Sequence, residues 1–122
     1  MDGRISEAEL AIMEALWRDA PLSAAEIARR VAPERGWSLQ TVKTLISRLD
    51  EKGAISHRQD GRRYLYSPEV AREAYVTRES RRFVERLFGG KVMPLVAHLA
   101  DSDALSEEDI AEIEKLIREL KR

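Results

Sequence analysis

Gln40, Thr41, Lys43, Thr44, Ser47 and Arg48 crowd into one short stretch and offer amide, hydroxyl, ammonium and guanidinium groups. Such groups donate and accept hydrogen bonds at base edges and phosphates, the chemistry of a surface that reads duplex DNA. A helix would gather them. At about 100° per residue, Val42, Leu45, Ile46 and Leu49 share one side at the i, i+3, i+4, i+7 spacing of a buried stripe, and the polar set shares the other. A face that needs only water is usually rich in Glu and Lys, whereas this one carries Gln, Thr, Ser, Lys and Arg. Ser38 stands where an N-cap belongs and joins the candidate DNA-facing residues.

Two shorter helical patterns precede this one, each opened by a capping box: Ser6 with Glu9, and Ser23 with Glu26. The first aligns Ala8, Ile12 and Leu16, with Leu10, Met13 and Trp17 beside them, and stops at Asp19-Ala20-Pro21. The second runs from about Ala24 to Val31, after which Pro33 and Gly36 break the chain. Lys52-Gly53 closes the third helix. Ala54–Arg58 and Arg62–Ser67 then flank Gln59-Asp60-Gly61, a hairpin signal. Its tip holds Arg58, Arg62 and Arg63, and Ile55, Leu65, Tyr64 and Tyr66 supply packing. An isolated ribbon is barely stable in water, so one face should rest on the helices. Three helices and a basic-tipped hairpin describe a winged helix-turn-helix over residues 1–67.

Net charge is −1, so bulk charge does not hold this chain on nucleic acid. Its distribution is more telling. Arg35 to Ser67 contains seven basic residues against three acidic ones, while Asp101 to Glu114 contains seven acidic residues and no basic one. Positive charge therefore collects where phosphate contacts would need it. The chain has no cysteine, which excludes disulfides and thiolate metal sites. No apolar run approaches a bilayer span, and the N-terminus lacks a secretion signal, so a cytoplasmic protein without stable membrane association is expected.

Residues 68–122 read as helical to the end, with breaks at Gly89-Gly90 and before Ser106, and form a second, helical domain. Phe83, Val84 and Leu87 make one apolar strip, Leu95, Val96 and Leu99 another. Ile110, Ile113, Ile117 and Leu120, with Leu116 beside them, make a heptad-like seam. A chain of 122 residues has no internal core large enough to hide all three, so a homodimer is expected. Overall the fold class is mainly α.

Other chemistry is poorly supported. His57 and His98 are the only histidines. With Asp101 and Asp103 they could make a metal site, but surface roles are the simpler reading, and neither metal nor cofactor is expected. Glu107-Glu108-Asp109 suits a helix first turn better than an acid/base pair. No serine sits in a nucleophile elbow and no phosphate-cradling glycine loop appears, so no enzyme is expected. Trp17 reads as a core anchor. Trp37, just before the cap, could staple onto Thr41 and Val42 or lie on the DNA backbone.

Several segments together, Ile5-Ser-Glu-Ala-Glu-Leu, Met13, Leu16-Trp17, Trp37-Ser-Leu-Gln-Thr-Val-Lys-Thr-Leu-Ile-Ser-Arg-Leu49, Lys52-Gly53 and Tyr64-Leu-Tyr-Ser-Pro68, resemble the penicillinase-repressor family, which includes methicillin-resistance and copper-operon repressors. The resemblance spans nearly the whole chain. It implies a homodimeric winged-helix repressor with a C-terminal helical dimerisation domain, bound to palindromic operators, often with TACA and TGTA half-sites, of resistance genes. The groove-reading positions would be Gln40, Thr41, Lys43, Thr44 and Arg48, with Arg62 and Arg63 on the wing. The copper branch resembles a metal sensor through a cysteine-rich motif absent here. The β-lactam branch is relieved when a membrane-bound sensor peptidase triggers cleavage in the dimerisation domain, commonly at Asn-Phe; the matching bond here is His98–Leu99.

A winged helix also serves as a protein–protein module, and fold alone does not separate the two uses. A protein-binding version should show a neutral or apolar face over residues 40–48, where this chain carries Lys43 and Arg48.

Overall fold

The computed structural model describes residues 4–122 and contains six helices and one two-stranded antiparallel sheet. The order is α1 (Glu7–Asp19), α2 (Ala24–Arg35), α3 (Leu39–Glu51), β1 (Ile55–Asp60), β2 (Arg63–Pro68), α4 (Arg72–Phe88), α5 (Val92–Asp101) and α6 (Glu107–Leu120). It forms two compact units, one reaching to Tyr75 and the other spanning Val76–Arg122.

In the first unit both predicted capping boxes form. Ser6 and Ser23 each accept from the backbone N–H three residues on, and Glu9 and Glu26 accept from the cap N–H groups in return. The helices then bury one stripe each. Ile12, Met13 and Leu16 of α1, Ile27 and Val31 of α2, and Val42, Leu45, Ile46 and Leu49 of α3 make one core, closed from the hairpin side by Ala54 and Ile55. Burying each such side chain contributes roughly 1.5–3 kcal/mol, the term that fixes α3 against α1 and α2.

Two boundaries differ from the sequence pattern. The pattern ends the second helix near Val31, yet α2 continues to Arg35 with Pro33 inside it. Proline there removes a single bond in the last turn, and Gly36, at φ 65, still donates to the Ala32 carbonyl to close it. The hairpin loop is Gly61-Arg62, because Asp60 pairs with Arg63 and extends β1 by two residues. Arg58, expected at the tip, stands opposite Leu65 along the ribbon. Leu22 adds a short bridge on the other side of β2, exchanging two backbone bonds with Tyr66 and anchoring the wing to the α1–α2 connection.

The sequence pattern places residues 68–75 with the second domain, but the first unit takes them in. Trp17 explains why. Its indole Nε1 donates to the Val70 carbonyl at 2.8 Å, and its ring lies 5.6 Å from that of Tyr75, which is buried. Arg72 reaches Glu14 at 2.8 Å.

The second unit is unlike the first. Among the described residues, no side chain beyond Tyr75 is buried. Ser106 and Asp109 form a capping box for α6, and Gly89 and Gly90, both at positive φ, end α4.

Candidate nucleic-acid interface

The exposed face of α3 is held by its neighbours at both ends. At its start, Trp37 packs against the core and carries the Arg35 guanidinium 5.2 Å above its ring, which supports the staple reading. Ser38 Oγ accepts from the Thr41 N–H at 3.1 Å and donates to Thr41 Oγ1 at 3.1 Å. Its hydrogen-bonding capacity is thus directed into the cap.

Gln40, Thr41, Lys43, Thr44, Ser47 and Arg48 are all exposed on one side, opposite Val42, Leu45, Ile46 and Leu49. Thr44 Oγ1 donates to the Gln40 carbonyl at 3.0 Å, so its hydroxyl proton is engaged and it presents an acceptor and a methyl outward. Thr41 Oγ1 accepts from Ser38 and keeps its own proton to donate. The Gln40, Lys43 and Arg48 side chains have no partner among the described residues. Two cations and an amide projecting without protein partners are suited to phosphates and base edges.

At its other end α3 is tied down by a contact the sequence pattern does not show. The Lys52 ammonium, at the C-cap, donates to the Glu9 carboxylate and to the Arg4 carbonyl at 2.6 Å. Burial pushes the Glu9 carboxyl up, but Lys52 and the Ser6 N–H outweigh it and hold the group below its ordinary value.

The two wing arginines sit in different surroundings. Arg62 lies in the loop, exposed and, among the described residues, unpaired. Arg63 lies 3.3 Å from Asp60 and 3.9 Å from Glu26, the capping residue of α2. The Ser23 backbone and hydroxyl, more than Arg63, hold Glu26 below its ordinary value. Further along the ribbon, His57 Nδ1 lies 3.1 Å from Asp50 of α3, with the Tyr64 ring edge-on at 5.0 Å.

Between the wing, α2 and α3 opens a cleft of about 630 Å³. Its lining brings together Arg29, Lys43, Arg62 and Arg63 with Ser23 and Ser47, over apolar walls of Ala24, Ala25, Leu39, Ile46, Tyr64 and Tyr66. No acidic side chain lines it, so its field favours anions. Arg29 escapes the sequence pattern because it lies on α2 and only the fold brings it beside Lys43; Leu39, one turn before Lys43 on α3, escapes because it is apolar and falls outside the polar set.

In the second unit, apolar surface stands open to solvent. Phe83, Leu87, Leu99, Ile110, Leu116, Ile117 and Leu120 are exposed, Leu120 at 83%, and Val84, Leu95, Val96 and Ile113 are half-buried. His98 and Leu99 lie in α5, both exposed. Among the described residues no three His, Asp or Glu side chains converge as metal ligands, and no helix is long and apolar enough to cross a membrane.

Residues 5–119 match the family model described as penicillinase repressor. The penicillinase repressor of Bacillus licheniformis is 30% identical over 118 residues, covering 97% of this chain and 92% of that protein. The methicillin resistance regulatory protein MecI of Staphylococcus aureus (strain N315) is 28% identical over 113 residues, covering 93% and 92%. Among solved structures, the monomeric form of Bacillus licheniformis BlaI in complex with the blaP half-operator aligns at a TM-score of 0.53 and 31% identity, over 62% of this chain and 92% of that one.

Proposed function

The chain belongs to the penicillinase repressor family, and from that premise we propose that it is a DNA-binding repressor acting as a homodimer, with α3 in the major groove of each half of a palindromic operator. The observation that carries this reading is the outward face of α3. Lys43 and Arg48 project without protein partners from a helix whose other side is buried, beside a cleft that no acidic group lines. Lys43, Arg48 and Arg62 would neutralise phosphates, and Gln40 and Thr41 would read base edges. Ser38 contributes through the cap, and Thr44 and Ser47 offer hydroxyl oxygens along the same face.

The second unit supports dimerisation. Three amphipathic helices that, among the described residues, bury no side chain beyond Tyr75 need another surface, and a second copy would supply one that matches operator symmetry. Phe83, Val84, Leu87, Leu95, Val96, Leu99, Ile110, Ile113, Leu116, Ile117 and Leu120 would form it. Two recognition helices held about one DNA turn apart would then bind with the avidity of a linked pair.

Loosening this unit would relieve repression. The candidate bond for a sensor-triggered peptidase is His98–Leu99, in an α5 that has no side-chain N-cap and spans ten residues. Helices that short are marginal on their own, which favours the local opening a protease needs. The genes under control would be those of antibiotic resistance or stress. A footprint of the purified protein on DNA upstream of its own gene is the test: protection of a palindrome, lost on scrambled sequence, is expected, and uniform weak binding would contradict the proposal.

A further inference from the structure

We propose that Leu39 reads thymine: in the cleft between α3 and the wing it forms an apolar contact for the 5-methyl group of one operator base. The inference rests on DNA binding by α3. Leu39 is the first residue of that helix and is 46% exposed, although it is large and apolar. By spacing it stands at the edge of the stripe, one turn before Val42 and two before Ile46, yet unlike them it keeps nearly half its surface exposed and takes no part in the buried core. Leu39, Lys43 and Ser47 follow one another at i, i+4 and i+8 along one side of the cleft, and Ala25 of α2 and Tyr64 of β2, itself 48% exposed, line it too.

An occupant of this cleft must carry negative charge, for the cations around the apolar walls, and present an apolar group to the walls themselves. Duplex DNA does both. Its phosphates meet Lys43 and Arg62, and the thymine methyl is the one apolar group that base pairs expose at the major-groove edge. Position favours this too, because the N-terminal residues of a recognition helix are those that reach base edges. Leucine has no donor or acceptor with which to read adenine, guanine or cytosine, so its discrimination rests on the methyl group.

The experiment replaces each thymine of the footprinted half-site, one at a time, by deoxyuridine, which removes only the methyl. The intact protein, Leu39→Ala and Leu39→Met are compared. At one position deoxyuridine should weaken the intact protein and Leu39→Met about fourfold, the effect of one buried carbon, and leave Leu39→Ala unchanged. The same deoxyuridine penalty in all three proteins, or no penalty at any thymine, would overturn the proposal. If the intact protein prefers its operator no more than scrambled DNA, the DNA-binding reading fails with it. Thermal melts of both variants keep loss of fold separate from loss of contact.

Discussion

The Lys52 ammonium meets the Glu9 carboxylate across forty-three residues of chain, joining the C-cap of α3 to the first turn of α1. Glu9 is 1% exposed, so the pair sets the pose of α3 from its far end. Removing the Glu9 charge leaves the Lys52 ammonium with the Arg4 carbonyl alone. Glu9→Gln should therefore destabilise the protein by about 1–3 kcal/mol, less than a fully buried pair because Lys52 is partly solvated. Urea unfolding at neutral pH measures it, and an unchanged midpoint would make the contact incidental.

The same residue predicts a pH dependence. Glu9, Glu14 and Glu26 are all held below the ordinary 4.5 in the folded state. For Glu9 burial works in the opposite direction and is outweighed by Lys52 and Ser6, whereas Arg72 lowers Glu14. A depressed folded pKa means that the unfolded chain binds more protons, so stability is present above about pH 4.5 and is lost as pH falls through the folded values. Glu9→Gln should flatten, without abolishing, that acid limb in a series of unfolding curves. A limb as steep as in the unaltered protein would contradict a lowered Glu9 value in the folded state.

On α3, Lys43→Ala and Arg48→Ala should weaken operator binding while leaving the melting curve in place, since neither side chain touches the core. A lost phosphate contact lowers affinity on all sequences and reduces the salt slope by about 1; a lost base contact costs roughly 1–3 kcal/mol and relaxes specificity at one position. Titrations at several salt concentrations, on operator and scrambled DNA, assign the roles. Less than about a twofold change in both variants would remove α3 from the interface.

The wing separates two neighbouring arginines. Arg62→Ala should reduce the salt slope by about 1, because the loop cation is free to take a phosphate. Arg63→Ala should weaken binding by loosening the hairpin from α2 with the slope retained, since Asp60 and Glu26 already face its guanidinium. Equal slope changes would mean that Arg63 leaves those partners for DNA.

Truncation tests the unit boundary. A chain ending at Tyr75 keeps the Trp17–Val70 bond and the Arg72–Glu14 pair. It should fold as a monomer and bind the palindrome at least about 100-fold more weakly than the intact protein, the loss expected when linkage is removed. Ending at Pro68 strands the Trp17 indole N–H and should lower stability by a further 1–2 kcal/mol or so. Calorimetry on the two pieces compares them directly, and identical melts would place the boundary nearer Pro68.

Much of this arrangement was legible because it is local. Ser6, Glu9, Ser23 and Glu26 announce helix starts within four residues, and Val42, Leu45, Ile46 and Leu49 mark the inner face of α3 by spacing alone. The contacts that escaped are long-range. Glu9 reads as a capping residue, and nothing near it in the chain announces Lys52. Asp-Gly suggested the loop, yet Asp60 belongs to β1 because it pairs with Arg63, which lengthens that strand by two residues and leaves Gly61-Arg62 as the turn. Arg29 and Leu39 matter only once α2, α3 and β2 enclose one cleft, and Trp17 draws residues 70–75 into the first unit through its indole nitrogen.

In the proposed arrangement two copies of this chain hold one palindrome through paired α3 helices. Sedimentation of the intact protein with a duplex bearing the footprinted operator, and with a scrambled duplex of equal length, tests it most directly. Two chains per operator duplex and no stable complex with the scrambled one are expected. One chain tightly bound per palindrome, or equal binding to both duplexes, would contradict that arrangement.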